Sequence, residues 1–338
     1  MGNNPFGSEL LSPVPEALVV SPWSAAADSV TEHRAPPRGR GHGLMVNQAL
    51  PLRAARFLRD KALYRFVVSQ GLRTHDRRRL RMLDSTRATV TVAFNHPELL
   101  DLQLTALQRF LDSPPLMIVI DNSTTRALRE EMARVVEGNG GVYIRGPVNP
   151  FSAFQGSLSH ASTLDWVWKK VLPSTPVTQV LLLDHDIFPV VSLSADALFS
   201  GVAAAGVRED RAGMWYLWPG FLRLDRAVFD TASVSFMPYR ELDTGGSLWS
   251  SHFERLPAES FTFLSATEHA IGEGDFKQDS GIELIDREWV HLVDGSGWLD
   301  GVGKLDRLGD SDSDERNGWS VDGLIAALRQ KGAPLPGG

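Results

Sequence analysis

The stretch QVLLLDHDIFPV, residues 179–190, runs from an apolar segment into two aspartates one residue apart, Asp184 and Asp186, flanking His185. Residues 180–183 read as a buried strand of a sheet covered on both faces. Such a strand delivers its last side chains to the carboxyl edge of the sheet, where open α/β folds bind ligands. Two carboxylates brought together there cost free energy unless a cation or a proton neutralises them. A divalent metal holding a phosphate-bearing substrate accounts for the pair. Two solvated aspartates in a turn after a strand are the plain alternative.

The elements before this motif repeat its form. ATVTVAF (88–94) reads as a first strand and ends at Asn95-His96-Pro97, and Leu99, Leu100, Leu102, Leu104, Leu107, Phe110 and Leu111 then follow at largely helical spacing. PLMIVI (115–120) is a second apolar strand, stopping at Asp121-Asn122-Ser123. A helix over 125–136, a short strand in GVYIRG and a helix over 157–172 lead into the strand that carries Asp184. Short apolar strands alternating with helices predict parallel pairing and right-handed crossovers, an α/β Rossmann-like sheet flanked by helices. Three strands in this order end in polar side chains, Asn95, Asp121 and Asp184, so one edge of the sheet collects them.

Beyond Asp186 the pattern is weaker. MWYLWPGFLRLDRAVFD (214–230) predicts two strands, or a strand and a helix, around Gly220. ELDTGGSLWSSHF (241–253) predicts a Gly-bearing loop entering a helix. Residues 262–298 hold a strand near 289–292. An acidic tail from Asp310 and one amphipathic helix over 321–328 close the chain, and no internal repeat is present.

Composition narrows the chemistry. The chain has no cysteine, which removes disulfides, thiolate catalysis and cysteine zinc sites. No apolar segment approaches the roughly 18–20 residues that cross a bilayer. The start, MGNNPFGSEL, lacks the basic and apolar parts of a secretory signal, and Phe6 stands where a myristoylation site would want Ser or Thr. The expectation is a cytoplasmic protein. Residues 1–87 carry 14 Lys/Arg against 7 Asp/Glu, a net +7; with the whole chain at −7, the remaining 251 residues carry −14. A basic front on an acidic body argues against nucleic acid as a partner and points to a surface contact made by the front. Residues 1–50, rich in Pro, Gly, Ser and Ala, are expected to be irregular or disordered. In 53–82, Phe57, Leu58, Leu63, Phe66 and Val67 recur at helical spacing among Arg53, Arg56, Arg59, Lys61 and Arg65. Such a segment either packs on the main domain with its basic face in solvent or lies on an anionic membrane, at the inner face of the cell membrane. The expected organisation is therefore 1–50 irregular, 51–86 basic and helical, 87–309 catalytic, and 310–338 a tail with a short helix.

With these residues assembled, the chain resembles the GT-A fold glycosyltransferases, the superfamily that includes the family 2 enzymes, over about residues 87–298. The resemblance lies in architecture and motif order: a strand ending at Asn95, a strand ending at Asp121, a helix, the Asp184-His185-Asp186 strand with Pro189 after it, then a downstream histidine. It implies that Phe94, Asn95 and Asp121, with Asp184, hold the nucleotide. It implies that Asp184 and Asp186 are an Asp-x-Asp motif binding Mn²⁺ or Mg²⁺ on the diphosphate of a nucleotide-sugar, with His291 in WVHLVDGSGW as third ligand. A hard cation with oxygen ligands stabilises the departing nucleoside diphosphate as a Lewis acid. His291 as a hydrogen-bonded core histidine is the simpler reading of that residue alone.

Inverting transfer also needs a base to deprotonate the acceptor hydroxyl. The acidic dipeptide usual in family 2 is missing here; Asp243, in LDTGGSLW, is the first choice and Glu268 the second. Asp243 as a helix N-cap is the structural alternative, and a retaining enzyme would need no base in that position. Trp215, Trp218, Trp249 and Trp298 lie near Gly-rich turns, where aromatic faces stack on sugars, although core packing is the safer reading of any single one. Ser157, His160 and Asp165 lie where similar enzymes contact the donor. The implied acceptor is a saccharide or a lipid-linked hydroxyl, in polysaccharide or glycolipid synthesis.

Three other functions fit parts of the pattern. A haloacid dehalogenase-like phosphatase, magnesium-dependent, also ends a strand in Asp-x-Asp, and GDFKQD (274–279) matches its downstream element. Phe188 and the late position of the motif count against it. A sugar-1-phosphate nucleotidyltransferase would need a Gly-rich basic loop after the first strand, which is missing. A non-catalytic GT-A-like binding module would not need the acidic pair.

Overall fold

The computed structural model of the chain describes residues 49–270, 281–293, 320–330, 332, 333 and 335. Its centre is a seven-stranded sheet. Four strands, β1 (Arg87–Ala93), β2 (Leu116–Asp121), β3 (Val142–Arg145) and β4 (Gln179–Leu183), pair in parallel in the order β3-β2-β1-β4. The sheet continues through β7 (Met214–Asp225), antiparallel to β4, then β6 (Ala204–Arg211), antiparallel to β7, and β8 (Phe261–Leu264), parallel to β6. The expected α/β, mostly parallel sheet is present.

Both faces of the parallel half are covered, which is why its strands read as unbroken apolar runs. Along β4, Val180 and Leu182 join a core with Leu164, Trp166 and Trp168, while Leu181 and Leu183 join Leu100, Leu104, Leu107, Met132 and Val136 on the other face. The helices supplying these side chains are α3 (Pro97–Phe110), α4 (Arg126–Gly138) and α5 (Gly156–Trp166), with Trp168 in the turn that follows α5. Pro97 opens α3, where its missing N–H costs nothing, and Thr125 caps α4 by accepting from the Leu128 N–H. The helix expected over 157–172 ends as α5 at Trp166 and continues through a π turn (Val167–Val171) and a 3-10 turn (Leu172–Ser174).

The 214–230 stretch corrects the reading from sequence. It is one 12-residue strand, β7, through the Trp218-Pro219-Gly220 segment that reads as a breaker. The ladder to β6 jumps from Gly206↔Leu222 to Arg208↔Leu217, so Pro219 sits in a bulge where no N–H is required. β6 and β8 also went unanticipated.

A second, antiparallel sheet runs β5 (Ile187–Pro189), β11 (Trp289–Leu292), β10 (Gly281–Ile285) and β9 (Ala266–Ala270). Of these, only β11 is predicted from the sequence. β5 starts one residue after Asp186, so this sheet is tied to the end of β4. Its buried face packs on α3 and on a C-terminal helix, α8 (Val321–Gln330), through Ile282, Leu284, Val290, Leu324 and Leu328.

α1 (Ala49–Ser69) packs on α5, and α2 (Thr74–Arg81) follows it. The buried Asp165 of α5 accepts from Tyr64 Oη at 2.7 Å, Ser235 Oγ at 2.9 Å and the Phe236 N–H at 2.6 Å. Among the described residues no helix is long and apolar enough to cross a membrane. The 1–48 segment, the GDFKQD element, Trp298 and the acidic stretch after Asp310 lie outside the described residues.

Candidate active site

The Asp184–Ile187 turn at the carboxyl end of β4 is fixed from three sides. The Asp184 N–H donates to Gly220 O of β7 at 2.8 Å, Ile187 N–H to Asp184 O at 3.1 Å, and Leu292 N–H of β11 to Asp186 O at 3.0 Å. Gln103 of α3, 0% exposed, donates its amide to Asp184 O at 2.5 Å and Ile187 O at 2.7 Å and accepts from Thr91 Oγ1 at 3.0 Å. A glutamine inside an apolar helix gives no sequence signal of this work, so Gln103 went unread.

Each carboxylate of the turn meets an imidazole from another element. Asp184 Oδ1 lies 3.5 Å from His160 Nε2 on α5, and Asp186 Oδ1 lies 3.9 Å from His291 Nε2 on β11. His291 Nδ1–H donates to Glu283 Oε2 of β10 at 2.7 Å, turning Nε2 toward Asp186. Burial raises the Asp184 carboxyl above its ordinary range, against the opposing pull of His160, and the Asp186 charge raises it further. Burial works against the His291 imidazolium, but the Glu283 hydrogen bond and the Asp186 charge outweigh it and raise that pKa.

Taken one pair at a time, the spacing is that of two ligands of a hard divalent cation. Two ligands each about 2.1 Å from one ion stand roughly 3–4 Å apart, and the carboxylate–imidazole spacings of 3.5 and 3.9 Å fall in that span. The four groups stand as two pairs; among the described residues no three such side chains already converge as a metal cluster.

His160 and His291 belong to the wall of a cavity of about 350 Å³. Ser157, Asp243 and Thr244 line it on one side; Glu209, Arg211, Tyr216 and Trp218 come from the antiparallel half of the central sheet, and Glu283 from β10 of the second sheet. Burial, then the neighbouring acids Glu283, Asp210 and Glu268, hold the Glu209 carboxyl above its usual range, with Arg211 opposing them. Burial pushes the Tyr216 phenol up to about 12. The Trp218 ring packs against His291, centroids 4.8 Å apart, and lies across Gly220, where an added Cβ would stand 2.0 Å from the indole.

The other residues singled out from sequence fall in different places. Asp243 is in the cavity wall, its Oδ1 accepting from the Thr244 N–H at 2.8 Å. It does not cap α7 (Ser247–Ser251), whose N-cap is Gly246. Glu268 stands exposed on β9, opposite Glu283 in the ladder, and does not line the cavity. Phe94 and Asn95 follow β1 half-buried; Asn95, at φ 57°, accepts from the Thr124 N–H at 2.9 Å. Asp121 is 2% exposed, and its two oxygens accept from the Ser123 N–H at 2.7 Å and Tyr143 Oη at 2.6 Å. Neither Phe94, Asn95 nor Asp121 lines the cavity. Trp215 packs in an aromatic group with Trp249, Phe253, Phe261 and Phe263. Glu283, Glu209 and Arg211 enter the site on strands that went unpredicted; the Ile282-Glu283-Leu284 alternation was the available signal for β10.

No protein-family model matches the chain, and no curated protein matches it. Solved structures similar to it include the bifunctional glycosyltransferase WbbM, with 12% identity and a TM-score of 0.39 over 54% of this chain and 39% of that one. The galactosyltransferase LgtC with donor and acceptor sugar analogs aligns at 20% identity and a TM-score of 0.31, over 41% of this chain and 57% of that one. Glucosyl-3-phosphoglycerate synthase from Mycobacterium tuberculosis, in complex with phosphoglyceric acid, aligns at 17% identity and a TM-score of 0.37 over 53% of this chain and 69% of that one. The chain thus spans less than two thirds of WbbM and of LgtC.

Proposed function

We propose that this chain is a metal-dependent glycosyltransferase of the GT-A type, moving a sugar from a nucleotide-sugar donor to a hydroxyl acceptor. The observation that carries the reading is the Asp184–Asp186 turn at the carboxyl end of the central strand β4. Its two carboxylates face imidazoles of α5 and β11 that line one cavity. A sheet edge with a fixed acidic turn beside a polar cavity is where an α/β fold binds a phosphate-bearing ligand.

In this reading Asp184, Asp186 and His291 hold Mn²⁺ or Mg²⁺. The ion supplies positive charge to the diphosphate as the sugar–phosphate bond breaks. Glu283 fixes the His291 tautomer so that Nε2 is presented to the ion. His160, beside Asp184, is placed to donate to a phosphate oxygen. Trp218 covers His291 and keeps water from that side of the site. Asp243, in the cavity wall, accepts the proton of the acceptor hydroxyl. Phe94 and Asn95, at the end of β1, flank the nucleotide.

Thermal unfolding with UDP, GDP, CDP and dTDP, each with and without Mn²⁺, tests the reading. A rise in melting temperature that needs both Mn²⁺ and one nucleotide is expected. A rise with Mg²⁺ and a phosphate mimic, and with no nucleotide, would overturn it in favour of a phosphatase.

A further inference from the structure

α1 has two apolar faces, not one. Val67 is fully buried, and Tyr64 on the same side is anchored to Asp165, with Lys169 Nζ donating to Tyr64 Oη at 3.1 Å, so the helix cannot roll. That anchorage turns the other face outward. At about 100° per residue, Leu52, Ala55, Leu58, Ala62 and Phe66 fall within an arc of roughly 120°. Arg56 borders this stripe on one side and Lys61 and Arg65 on the other, while Arg59, paired with Asp60, falls inside the arc beside Leu52. All nine side chains are exposed.

The stripe extends beyond the helix. Arg59 lies over the Phe154 ring at 4.9 Å, and Gln70 donates to Val148 O at 2.7 Å, so Val148 and Phe154 adjoin the same flank. Leu52, Leu58, Phe66, Val148 and Phe154 are 73%, 64%, 47%, 63% and 48% exposed. They are five of the eight large apolar side chains exposed among the described residues. Scattered exposed hydrophobes need no explanation, whereas a contiguous group framed by cations does.

We infer that this face docks the protein on an anionic lipid surface, with Leu58, Phe66 and Phe154 entering the headgroup layer and the flanking Arg and Lys reaching the lipid phosphates. Charge decides among the occupants. A second copy meeting the same face would set Arg and Lys against Arg and Lys. Nucleic acid would neutralise the cations but leave the apolar stripe in water. An anionic bilayer satisfies both features. The acidic remainder of the chain is repelled by such a surface, which leaves α1 as the contact. The inference stands without the transferase reading. Combined with it, docking brings the cavity close to the lipid, because Phe154 precedes the wall residues Gly156 and Ser157 by two and three positions; that arrangement suits an acceptor hydroxyl carried on a lipid.

Flotation of the full chain with vesicles tests the inference. Binding is expected to vesicles of about one third phosphatidylglycerol in phosphatidylcholine, to fall steeply with salt, and to vanish on phosphatidylcholine alone. The double variant Leu58→Ser/Phe66→Ser should lose about tenfold in partitioning. Arg56→Glu/Arg65→Glu should lose more, at roughly fivefold for each cation removed. Both should keep the wild-type melting temperature, and Phe263→Ser, an exposed apolar residue on β8, should bind unchanged. Absence of binding to anionic vesicles, or binding undiminished in both double variants, would overturn the inference. So would a concentration-dependent dimer abolished by Leu58→Ser/Phe66→Ser, which would give the face to a second copy.

Discussion

On the parallel half of the sheet the site groups are held by backbone. Asp184 and Asp186 sit in a turn whose peptide groups bond to Gly220, Gln103 and Leu292, with apolar cores above and below β4. On the antiparallel side, formed by β6 and β7 of this sheet and by the second sheet, they are held by side chains. His291 takes its orientation from Glu283, Trp218 rests on the bare backbone of Gly220, and Glu209 and Arg211 project from the outer end of β6. The parallel half therefore offers fixed charges that cannot be moved without disturbing the core. The antiparallel side offers groups that can be exchanged one at a time, and under the proposed function that is where acceptor choice would vary.

The largest effect expected is on the fixed charges. Asp186→Ala should lower transfer by about 10³-fold, because it removes a direct contact to the charge that stabilises the leaving group. The melting temperature of the ligand-free protein should change little. Transfer surviving in Asp186→Ala would remove the metal from the parallel half altogether. Next in size is Gln103→Leu, which keeps the volume but leaves the carbonyls of Asp184 and Ile187 and the hydroxyl of Thr91 without their partner. A loss of about 3 kcal/mol of stability is expected, read by chemical denaturation, together with weaker Mn²⁺ binding. Lost stability with unchanged Mn²⁺ affinity would show that the turn does not depend on its backbone clamp.

The same contrast explains what could be read from sequence. β1, β2 and β4 are buried on both faces, so hydrophobicity alone delimits them, and the polar residue that ends each run marks the sheet edge. Asp184 and Asp186 were legible for that reason, and His291 because β11 is also fully buried. In the antiparallel half β6 leaves the core after Val207 and continues through exposed residues, so its period is lost. β7 contains a Pro-Gly pair that signals a turn but occupies a bulge. Gln103 was unreadable because its partners are backbone atoms more than 80 positions away in the chain. Spacing alone cannot separate Val67, which is buried, from Leu58 and Phe66, which are exposed, so the two apolar faces of α1 are not distinguishable in the sequence.

Exchangeable groups should show a different signature, a change in affinity without loss of fold. Glu283→Ala removes the acceptor of the His291 Nδ1–H and frees the ring to turn or change tautomer. Mn²⁺ affinity, titrated with the stabilising nucleotide present, should fall about 10–100-fold, while the ligand-free melting temperature stays close to wild type. A drop in melting temperature comparable to that of Gln103→Leu would place His291 among the backbone-anchored groups and erase the distinction.

The smallest effect expected is at Gly220, where the two halves meet. Its carbonyl accepts from the Asp184 N–H, while its missing Cβ makes room for the Trp218 indole. In Gly220→Ala the new methyl would stand 2.0–2.4 Å from three indole carbons, so Trp218 must move off His291. The ring is half-buried and has somewhere to go, which keeps the expected cost near the lower end of overpacking, about 1–2 kcal/mol. A double-mutant cycle locates that cost. If the clash with the indole is its source, Gly220→Ala should be nearly neutral in a Trp218→Ala background, and Trp218 fluorescence in the single variant should report a more exposed ring. An equal cost in both backgrounds would place the strain in the β4–β7 ladder, and Gly220 would then belong to the clamp on Asp184 and not to the seat of the indole.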